Sequence, residues 1–213
     1  FEFEPSFSPS GNEIIYVTWN DLEKGTISYV DINEGEPVKL TTEKAIYRTP
    51  SYSKDAKQIV YRKQAGNTDQ GITFTKNPGI YVMDQDGQNP TKIINYGENP
   101  MFNNDGSRIY LQTGGTYFGN LTKKLISVNL QGHDEREHVI SKYANNIVPS
   151  PDNKLVAFTN LHKAYIAPMP QIGKPLTLDG KSNNVPVQQI AKDAGVNLHW
   201  SSNSNTIMWT LGD

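Results

Sequence analysis

The stretch SPSGNEIIY, residues 8–16, joins a polar turn to a short apolar run, and the chain repeats it four more times without a gap. The later copies are SKDAKQIVY (53–61), NNDGSRIYL (103–111), SPDNKLVAF (150–158) and SSNSNTIMW (201–209). Successive copies start 45, 50, 47 and 51 residues apart. Self-similarity at such a period indicates stacked supersecondary units, either helix pairs or four-stranded blades.

Apolar and polar residues alternate in the runs between these copies, and this period of two favours β-strands over helices. In GIYVMDQDGQNPTKII (79–94), alternating residues flank a turn that ends in Asp86-Gly87, a pair that tolerates the positive φ of a tight hairpin. The same plan recurs at 27–41 and 125–140. The one helical candidate, 188–194, has neither a cap nor a sustained helical stripe. Each repeat is therefore predicted to carry four short strands.

We predict an all-β fold, namely a β-propeller of four-stranded antiparallel blades with about four complete blades and a partial one, as part of a larger ring. The predicted blades cover 1–45, 46–95, 96–142 and 143–193, and the partial blade covers 194–213. The second strand of each blade is expected at 14–18, 59–62, 108–112, 155–159 and 206–210.

The repeat also predicts which residues form turns and which form the core. The motif serines are expected to bond turn backbone, and prolines 5, 50 and 100 are expected to precede the first strands of their blades. One aromatic position and one aliphatic position should be buried between neighbouring blades. The residues at these two positions are Phe7, Tyr52 and Phe102, and Ile14, Ile59, Ile109 and Val156.

Composition excludes several classes of function. The net charge is −2, and no basic stripe exists that could neutralise phosphates, so we expect no nucleic-acid partner. The chain has no cysteine, which removes disulfides and thiolate ligands or nucleophiles. No apolar stretch reaches 18 residues, and the opening FEFEPSF lacks the features of a signal peptide. We therefore expect a soluble chain without a membrane span.

The histidines do not form a predicted metal site. His133 and His138 lie five residues apart in a turn and strand, unlike the helical pair of a zinc protease. The other two histidines of the chain are His162 and His199. His199 precedes Trp200 on a first strand, where we favour packing and retain a role facing the channel or a partner as the alternative. We expect no metal and no cofactor in this chain.

Other chemical motifs are incomplete. Asp84 and Asp86 resemble part of a calcium loop, but the loop is too short and lacks the distal Glu, so a hairpin is favoured. No Gly-x-Ser-x-Gly elbow occurs, and we expect no catalytic residues here. The Gly-rich stretch 114–119 lies between predicted strands, which disfavours a phosphate loop. Its Tyr117 and Phe118 are candidate binding residues, although a plain exposed loop is the favoured alternative.

Several stretches resemble a known family. SPSGNEIIY and SPDNKLVAF resemble the Ser-Pro-Asp-Gly corner of TolB-like propeller repeats, and IYVMDQDGQNPTKI is similar to the hairpin between the third and fourth strands of that family. VTWNDLEKGTISYVD, YIAPMPQIGKP with VPVQQIAKDAG, and HWSSNSNTIMWTLGD resemble the propeller that precedes the metal-dependent domain of large bacterial amidohydrolases. Ala56, Asn103 and Asn153 depart from the usual turn residues, in ways that a turn can absorb.

This resemblance implies two alternative functions. In the first, the chain is the non-catalytic propeller of an amidohydrolase-type protein and flanks or gates a hydrolase domain outside this sequence. In the second, it is a free-standing TolB-like binding propeller whose partner is an envelope protein. Both imply an exported, periplasmic bacterial protein. The tail and the long insertion at 168–186 favour the first, while fold alone does not distinguish them.

Overall fold

The computed structural model of the chain describes residues 1–33, 35–66, 75–115, 119–170 and 172–211. Their regular structure is β-strand, and no helix occurs in these ranges, so the predicted all-β class is confirmed. The strands are β1 (Glu2–Phe7), β2 (Glu13–Asn20), β3 (Lys24–Asp31), β4 (Val38–Lys39), β5 (Ile46–Tyr52), β6 (Gln58–Gln64), β7 (Gly79–Asp84), β8 (Thr91–Ile94), β9 (Glu98–Phe102), β10 (Arg108–Gly114), β11 (Thr122–Asn129), β12 (Arg136–Lys142), β13 (Ile147–Pro149), β14 (Leu155–Asn160), β15 (Lys163–Pro168), β16 (Leu176–Thr177), β17 (Gln188–Gln189), β18 (Val196–Trp200) and β19 (Ile207–Thr210). The five predicted second strands are confirmed as β2, β6, β10, β14 and β19, and β19 begins one residue later than predicted.

The chain divides into two compact units. The first comprises Phe1–Leu111 and Leu130–Gly132, and the second Gln112–Asn129 and His133–Asp213. The first unit holds the sheets β1-β2-β3-β4 and β5-β6-β7-β8, which are the first and second repeats. The second unit holds the fourth repeat, β13-β14-β15-β17, and the hairpin β18-β19 of the fifth. The sheet of the third repeat, in the order β16-β12-β11-β10-β9, is divided between the units inside β10.

All five copies of the motif form the same corner between a first and a second strand. The first motif residue bonds the sixth twice, because its N–H donates to that residue's C=O and its side-chain oxygen accepts that residue's N–H. The accepting side chains are Ser8, Ser53, Asn103, Ser150 and Ser201, at 2.9 to 3.1 Å. The predicted bonding of the motif serines to turn backbone is thus confirmed.

The fourth motif residue turns the chain at positive φ. Gly11 (φ 77°) and Gly106 (φ 73°) occupy this position in the first and third copies, where glycine tolerates the conformation. The other copies place Ala56, Asn153 and Ser204 there, with φ between 58° and 63°. The corner therefore keeps its positive φ even in the copies that have no glycine at this position.

The first strands are bulged in their middle. The pairing register shifts between Phe3 and Ser6 in β1, and between Arg48 and Ser51 in β5. Pro5 and Pro50 lie inside these bulges, and Pro100 lies inside β9, so the expectation that these prolines precede the first strands was wrong. A bulge leaves a residue without a ladder partner, which is why a residue that lacks an N–H fits there.

The core of the first unit lies between its first two sheets. Ile15, Val17 and Ile27 of the first sheet cluster with Tyr52, Ile59 and Met83 of the second sheet. Fully burying one such aliphatic side chain contributes about 1.5–3 kcal/mol relative to its exposure. This sheet-on-sheet packing thus buries Tyr52 and Ile59, two residues of the predicted core positions.

The structure confirms most of the predicted core and corrects part of it. Ile59, Ile109 and Val156 are fully buried, and Tyr52 and Phe102 are 9% and 7% exposed. Phe7, however, is 65% exposed, and Ile14 is only partly buried. Both lie on the face of the first sheet that points away from the second sheet, as their pairing with each other and with Val30 shows. Their expected burial was therefore wrong.

A segment of the predicted insertion at 168–186 forms the short strand β16, which the sequence did not predict. It pairs in parallel with β12 of the preceding repeat, with Val139 opposite Leu176 and Ile140 opposite Thr177. The N–H of Leu178 then donates to the C=O of Ile140 at 2.9 Å. Leu176 and Leu178 are buried, so this part of the insertion is fixed within the second unit.

Candidate functional site

Each first strand of the first unit contains a residue other than glycine at positive φ. Glu4, Thr49 and Asn99 occupy one repeat position, four residues before the motif, and have φ of 54°, 47° and 47°. A left-handed conformation costs a residue other than Gly about 1–2 kcal/mol, and a β-branched residue such as Thr49 is a marked outlier. Such strain persists only where surrounding contacts hold it, which directs attention to the side chains around these positions.

Charged and polar side chains surround the bulges of the first unit. Three of them lie on first strands and two on the neighbouring strand β6, and we call the five the first-strand row: Glu4, Arg48, Gln64, Arg62 and Glu98. Oε1 of Glu4 accepts from Nε and Nη2 of Arg48 at 2.7 and 2.5 Å, and Oε2 accepts the N–H of Thr49 at 2.6 Å. Arg48 also donates from Nη1 to Oε1 of Gln64 at 3.2 Å. The bulge of β1 is thereby bonded to the bulge of β5.

The second half of the row joins the second repeat to the third. Nη1 of Arg62, on β6, lies 3.3 Å from Oε1 of Glu98, at the start of β9. The charged side chains of the row keep part of their surface in solvent, with 41% of Arg48 and 44% of Glu98 exposed. The row is therefore an ordered arrangement of two ion pairs, with the two arginines opposite each other on β5 and β6, that a ligand can reach.

A buried lysine lies close to the row but is not accessible. Lys63 is almost fully buried, and its Nζ lies 2.8 Å from Oε2 of Glu43 and 5.0 Å from the ring centroid of Tyr81. Tyr61 lies between Tyr47 and Tyr81, with a centroid distance of 5.7 Å to each. Burial, assisted by the Glu43 charge, raises the pKa of Tyr47 to about 12. Glu43 and Tyr81 thus stabilise the buried charge of Lys63. The three tyrosines are part of the hydrophobic core of the first unit.

The corresponding positions of the second unit are uncharged. Nε2 of Gln112 donates to Oδ1 of Asn146 at 2.6 Å, and Oε1 of Gln112 accepts the N–H of Ile147 at 3.2 Å. Oγ1 of Thr159 accepts the N–H groups of Asn145 and Asn146 at 2.9 and 3.0 Å. These amides are used within the fold, so the charged candidate site belongs to the first unit.

One serine–histidine pair was missed at the sequence level because its residues are eleven positions apart on two strands. Oγ of Ser127, on β11, lies 2.7 Å from Nε2 of His138, on β12. Ser127 is fully buried, so its hydroxyl does not face solvent as a nucleophile must. The pair therefore serves packing of the sheet.

The predicted binding residues have different outcomes. Tyr117 and Phe118 lie outside the described residues. His199 lies on β18 opposite Met208, and its side chain is exposed, which disfavours the packing that was expected. Partial desolvation nevertheless lowers the pKa of His199 below 6.5. Its role as a contact residue stays a prediction.

The described part of the chain holds neither a candidate metal cluster nor a helix that could span a membrane. No group of three or more His, Cys, Asp or Glu side chains there is arranged to hold a metal ion. Asp84 and Asp86 bond the hairpin turn instead, with Asn89 donating to Asp84 and the N–H of Gln88 to Asp86. Within the same residues, no helix has the length and apolar character needed to cross a membrane.

No protein-family model matches the chain. Among solved structures, it is similar to TolB from Acinetobacter baumannii, with a TM-score of 0.68 and 16% identity over 97% of this chain and 48% of that chain. It is also similar to the TolB-type protein of Agrobacterium tumefaciens, with a TM-score of 0.65 and 17% identity over 97% of this chain and 74% of that chain. An oligogalacturonate lyase in complex with manganese gives a TM-score of 0.62 and 12% identity over 98% of this chain and 61% of that chain.

These similarities show the fold, which consists of four-stranded antiparallel blades of the β-propeller type. The chain spans about half the length of the Acinetobacter baumannii protein. The expected resemblance to TolB-like propellers is confirmed for the fold, while the closer link to amidohydrolase propellers stays a prediction. The first-strand row was missed, although one signal was present: Glu4, Thr49 and Asn99 each precede a proline at the same repeat position.

Proposed function

We propose that this chain is a non-catalytic binding propeller, and that the first-strand row is a contact surface for a partner protein or domain. The observation that carries the proposal is the pairing of partly exposed charges between neighbouring repeats, Glu4 of β1 with Arg48 of β5 and Arg62 of β6 with Glu98 of β9. Charges in such positions fix the orientation and identity of a partner more than they add raw affinity.

The geometry of the row reduces the cost of binding. Ordering a long side chain at an interface costs about 0.5–1.5 kcal/mol, and Arg48 is already ordered by its three bonds to Glu4 and Gln64. Its planar guanidinium favours carboxylates, which it can contact in a bidentate manner. A partner that presents carboxylates to Arg48 and Arg62 would match the two neighbouring positive charges of the row.

The first candidate partner is a metal-dependent hydrolase domain of the same protein, as in large bacterial amidohydrolases. The stretches at 17–31, 165–175, 185–195 and 199–213 support it by resemblance. In this proposal the propeller flanks or gates the hydrolase, and the metal and the catalytic residues belong to that domain. We propose that residues 1–213 need no cofactor of their own.

The second candidate is an envelope protein bound by a free-standing TolB-like propeller. The similarity to two TolB-type structures over 97% of the chain supports it. Both candidates imply export, and we propose a periplasmic location. They differ in the coding sequence that follows codon 213, where a barrel with a His-x-His strand supports the first and a stop codon supports the second.

The contact surface is tested by isothermal titration of the chain with the partner so identified. We expect Arg62→Ala to weaken binding about tenfold, which corresponds to about 1.4 kcal/mol. Lys39→Ala is the matched control, because Lys39 carries the same charge, is well exposed and lies outside the row. If Arg62→Ala and Arg48→Ala both bind as tightly as the wild type, the row is not the contact surface.

A further inference from the structure

The turn between β14 and β15 has a backbone conformation that its two residues disfavour. Asn160 pairs with Lys163, so Leu161 and His162 alone form the turn. Both have positive φ, 47° and 72°, which is the combination that a type I′ hairpin turn requires. Asn-Gly is the usual sequence of such a turn, because these two residue types tolerate left-handed backbone far better than Leu and His do. The turn therefore carries strain that its own sequence does not explain.

Another strained residue lies against this turn. Tyr143, directly after β12, has a φ of 65°, a conformation in which bulky residues are rare. Its C=O accepts the N–H of Leu161 at 3.4 Å. Its N–H donates to the C=O of Leu121, in the connection between β10 and β11, at 3.0 Å. Backbone bonds thus hold three bulky residues from three connections side by side: Leu121, Tyr143 and Leu161.

Hydrogen bonds from both neighbouring repeats hold the strained turn in place. Nδ2 of Asn160 donates to the C=O of Lys142, in the third repeat, at 2.8 Å. The C=O of His162 accepts the N–H of Gly195, at the start of the fifth repeat, at 2.8 Å. The turn therefore lies between repeats that the structure describes on both sides, and its exposure is not that of a terminal repeat. Strain that is held by its surroundings in this way clusters at functional sites.

The three side chains present apolar surface to solvent. Leu161 is 62% exposed, Tyr143 41% and Leu121 39%. Exposed apolar side chains that lie together are typical of contact surfaces, whereas single ones need no explanation. We group these three with the exposed basic and imidazole side chains beside them, and call the set the turn patch: Leu121, Lys142, Tyr143, Leu161, His162 and Lys163. All six belong to the second unit, so the turn patch is separate from the first-strand row of the first unit.

The turn patch carries positive charge. Lys142 and Lys163 are exposed, and Nζ of Lys142 lies 5.0 Å from the ring centroid of Tyr143. Residues 119–121, 142–146 and 160–163, which supply the patch and its surroundings, contain no Asp or Glu. The segment 191–195, which follows alongside, adds one lysine and one aspartate and leaves the balance unchanged. The apolar surface is thus accompanied by cations, to which carboxylates are complementary.

We propose that the turn patch binds an acidic segment of a partner protein, which places an apolar side chain against Tyr143 and Leu161 and its carboxylates beside Lys142 and Lys163. The charges would set the orientation of the segment, and the apolar contact would supply affinity. The segments of this chain outside the described ranges each carry at most one acidic residue, so they do not match the patch. Tyr143 and Leu121 keep more than half of their surface buried, which favours a shallow peptide contact over insertion into a lipid bilayer.

The test uses a dye-labelled peptide with leucine and phenylalanine between two blocks of aspartates, and fluorescence anisotropy measures its binding to the whole chain. We expect binding that weakens with salt and is about tenfold tighter than that of the same peptide with lysines in place of the aspartates. Equal binding of the two peptides, or no binding of the acidic one, overturns the proposal. Binding to vesicles of anionic phospholipid but not to the acidic peptide would overturn it too, and would assign the patch to a membrane surface.

A double variant separates a binding role of the turn from a purely structural one. Leu161→Asn with His162→Gly installs the sequence that a type I′ turn favours, so it should raise the melting temperature by about 2–4 °C. The same variant should weaken binding of the acidic peptide about tenfold, because the apolar contact is lost. Leu22→Asn is the matched control and should leave binding unchanged, because Leu22 is more exposed than Leu161 but lies in the turn between β2 and β3. A double variant that binds as tightly as the wild type would contradict the proposal.

Discussion

Glu4 and Arg48 connect two bulges, because Oε1 of Glu4 accepts hydrogen bonds from both Nε and Nη2 of Arg48. The carboxylate of Glu4 is mostly buried, so this pair should stabilise more than an open surface pair does. We expect a double-mutant cycle of Glu4→Gln and Arg48→Met to give a coupling free energy of about 1 kcal/mol. Urea unfolding of the four proteins measures it.

The control cycle uses Glu23 and Lys39, an ion pair of 3.7 Å in which both side chains are more than 60% exposed. Its coupling free energy should lie near zero, because solvent screens such a pair. Equal coupling in the two cycles would show that the contact between the bulges adds no stability.

The motif corner offers a reciprocal test of backbone strain. Ala56 and Gly106 occupy the same position in two copies at φ of 58° and 73°, and no atom lies within 4 Å of a Cβ added to Gly106. Since only the backbone is strained, Gly106→Ala should lower the free energy of unfolding by about 1 kcal/mol. Ala56→Gly should raise it by up to the same amount, as thermal unfolding can measure. Effects of the same sign in both variants would contradict this explanation.

Truncation of equivalent aromatics should separate covered from uncovered sheet faces. Phe102→Ala removes a buried ring and should destabilise the chain by about 3–5 kcal/mol. Phe7→Ala removes the same ring from an exposed position and should change stability by no more than about 0.5 kcal/mol at protein concentrations where single chains prevail. Similar losses in both variants would show that Phe7 is covered within one chain.

The buried Tyr47 predicts a loss of stability in alkali. Its pKa rises from 10.0 to about 12 in the folded chain, so the unfolded chain loses this proton first and stability falls as pH increases through that interval. The loss should be about 3 kcal/mol for this residue, because each pKa unit corresponds to about 1.4 kcal/mol. In Tyr47→Phe, the free energy of unfolding should therefore decline less steeply between pH 10 and about 12 than in the wild type. Parallel curves would mean that Tyr47 ionises normally.

The regular features of the fold follow from local signals in the sequence. Motif serines, Asp-Gly turns and alternating runs each act over a few residues, so the corners and the second strands could be predicted from them. The position of Pro5 and Pro50 could not, because a bulge depends on how two strands pair and the residues at positive φ, Glu4 and Thr49, are not ones that favour it. The recurring residue before proline marks the position, but the local sequence does not show how the two strands pair there.

The contacts between repeats were the least predictable part. The exposure of Phe7 depends on which face of a sheet another sheet covers, and the sequence position of Phe7 is the same as that of the buried Tyr52. The bond between Glu4 and Arg48 spans 44 residues, and no spacing rule relates the two. The candidate binding surface consists of such long-range contacts, which is why sequence alone directed attention to Tyr117, Phe118 and His199 instead.

The pairing of β16 with β12 limits how the repeats can be exchanged in evolution. A deletion of the fourth repeat, with ends at the motif borders, would also remove Leu176. The edge of β12, at Val139 and Ile140, would then lose the strand with which it pairs. Duplication or loss of the fourth repeat alone would thus disturb the third repeat as well. We expect these two repeats to be inherited together, as one genetic module of about twice the length of the motif period.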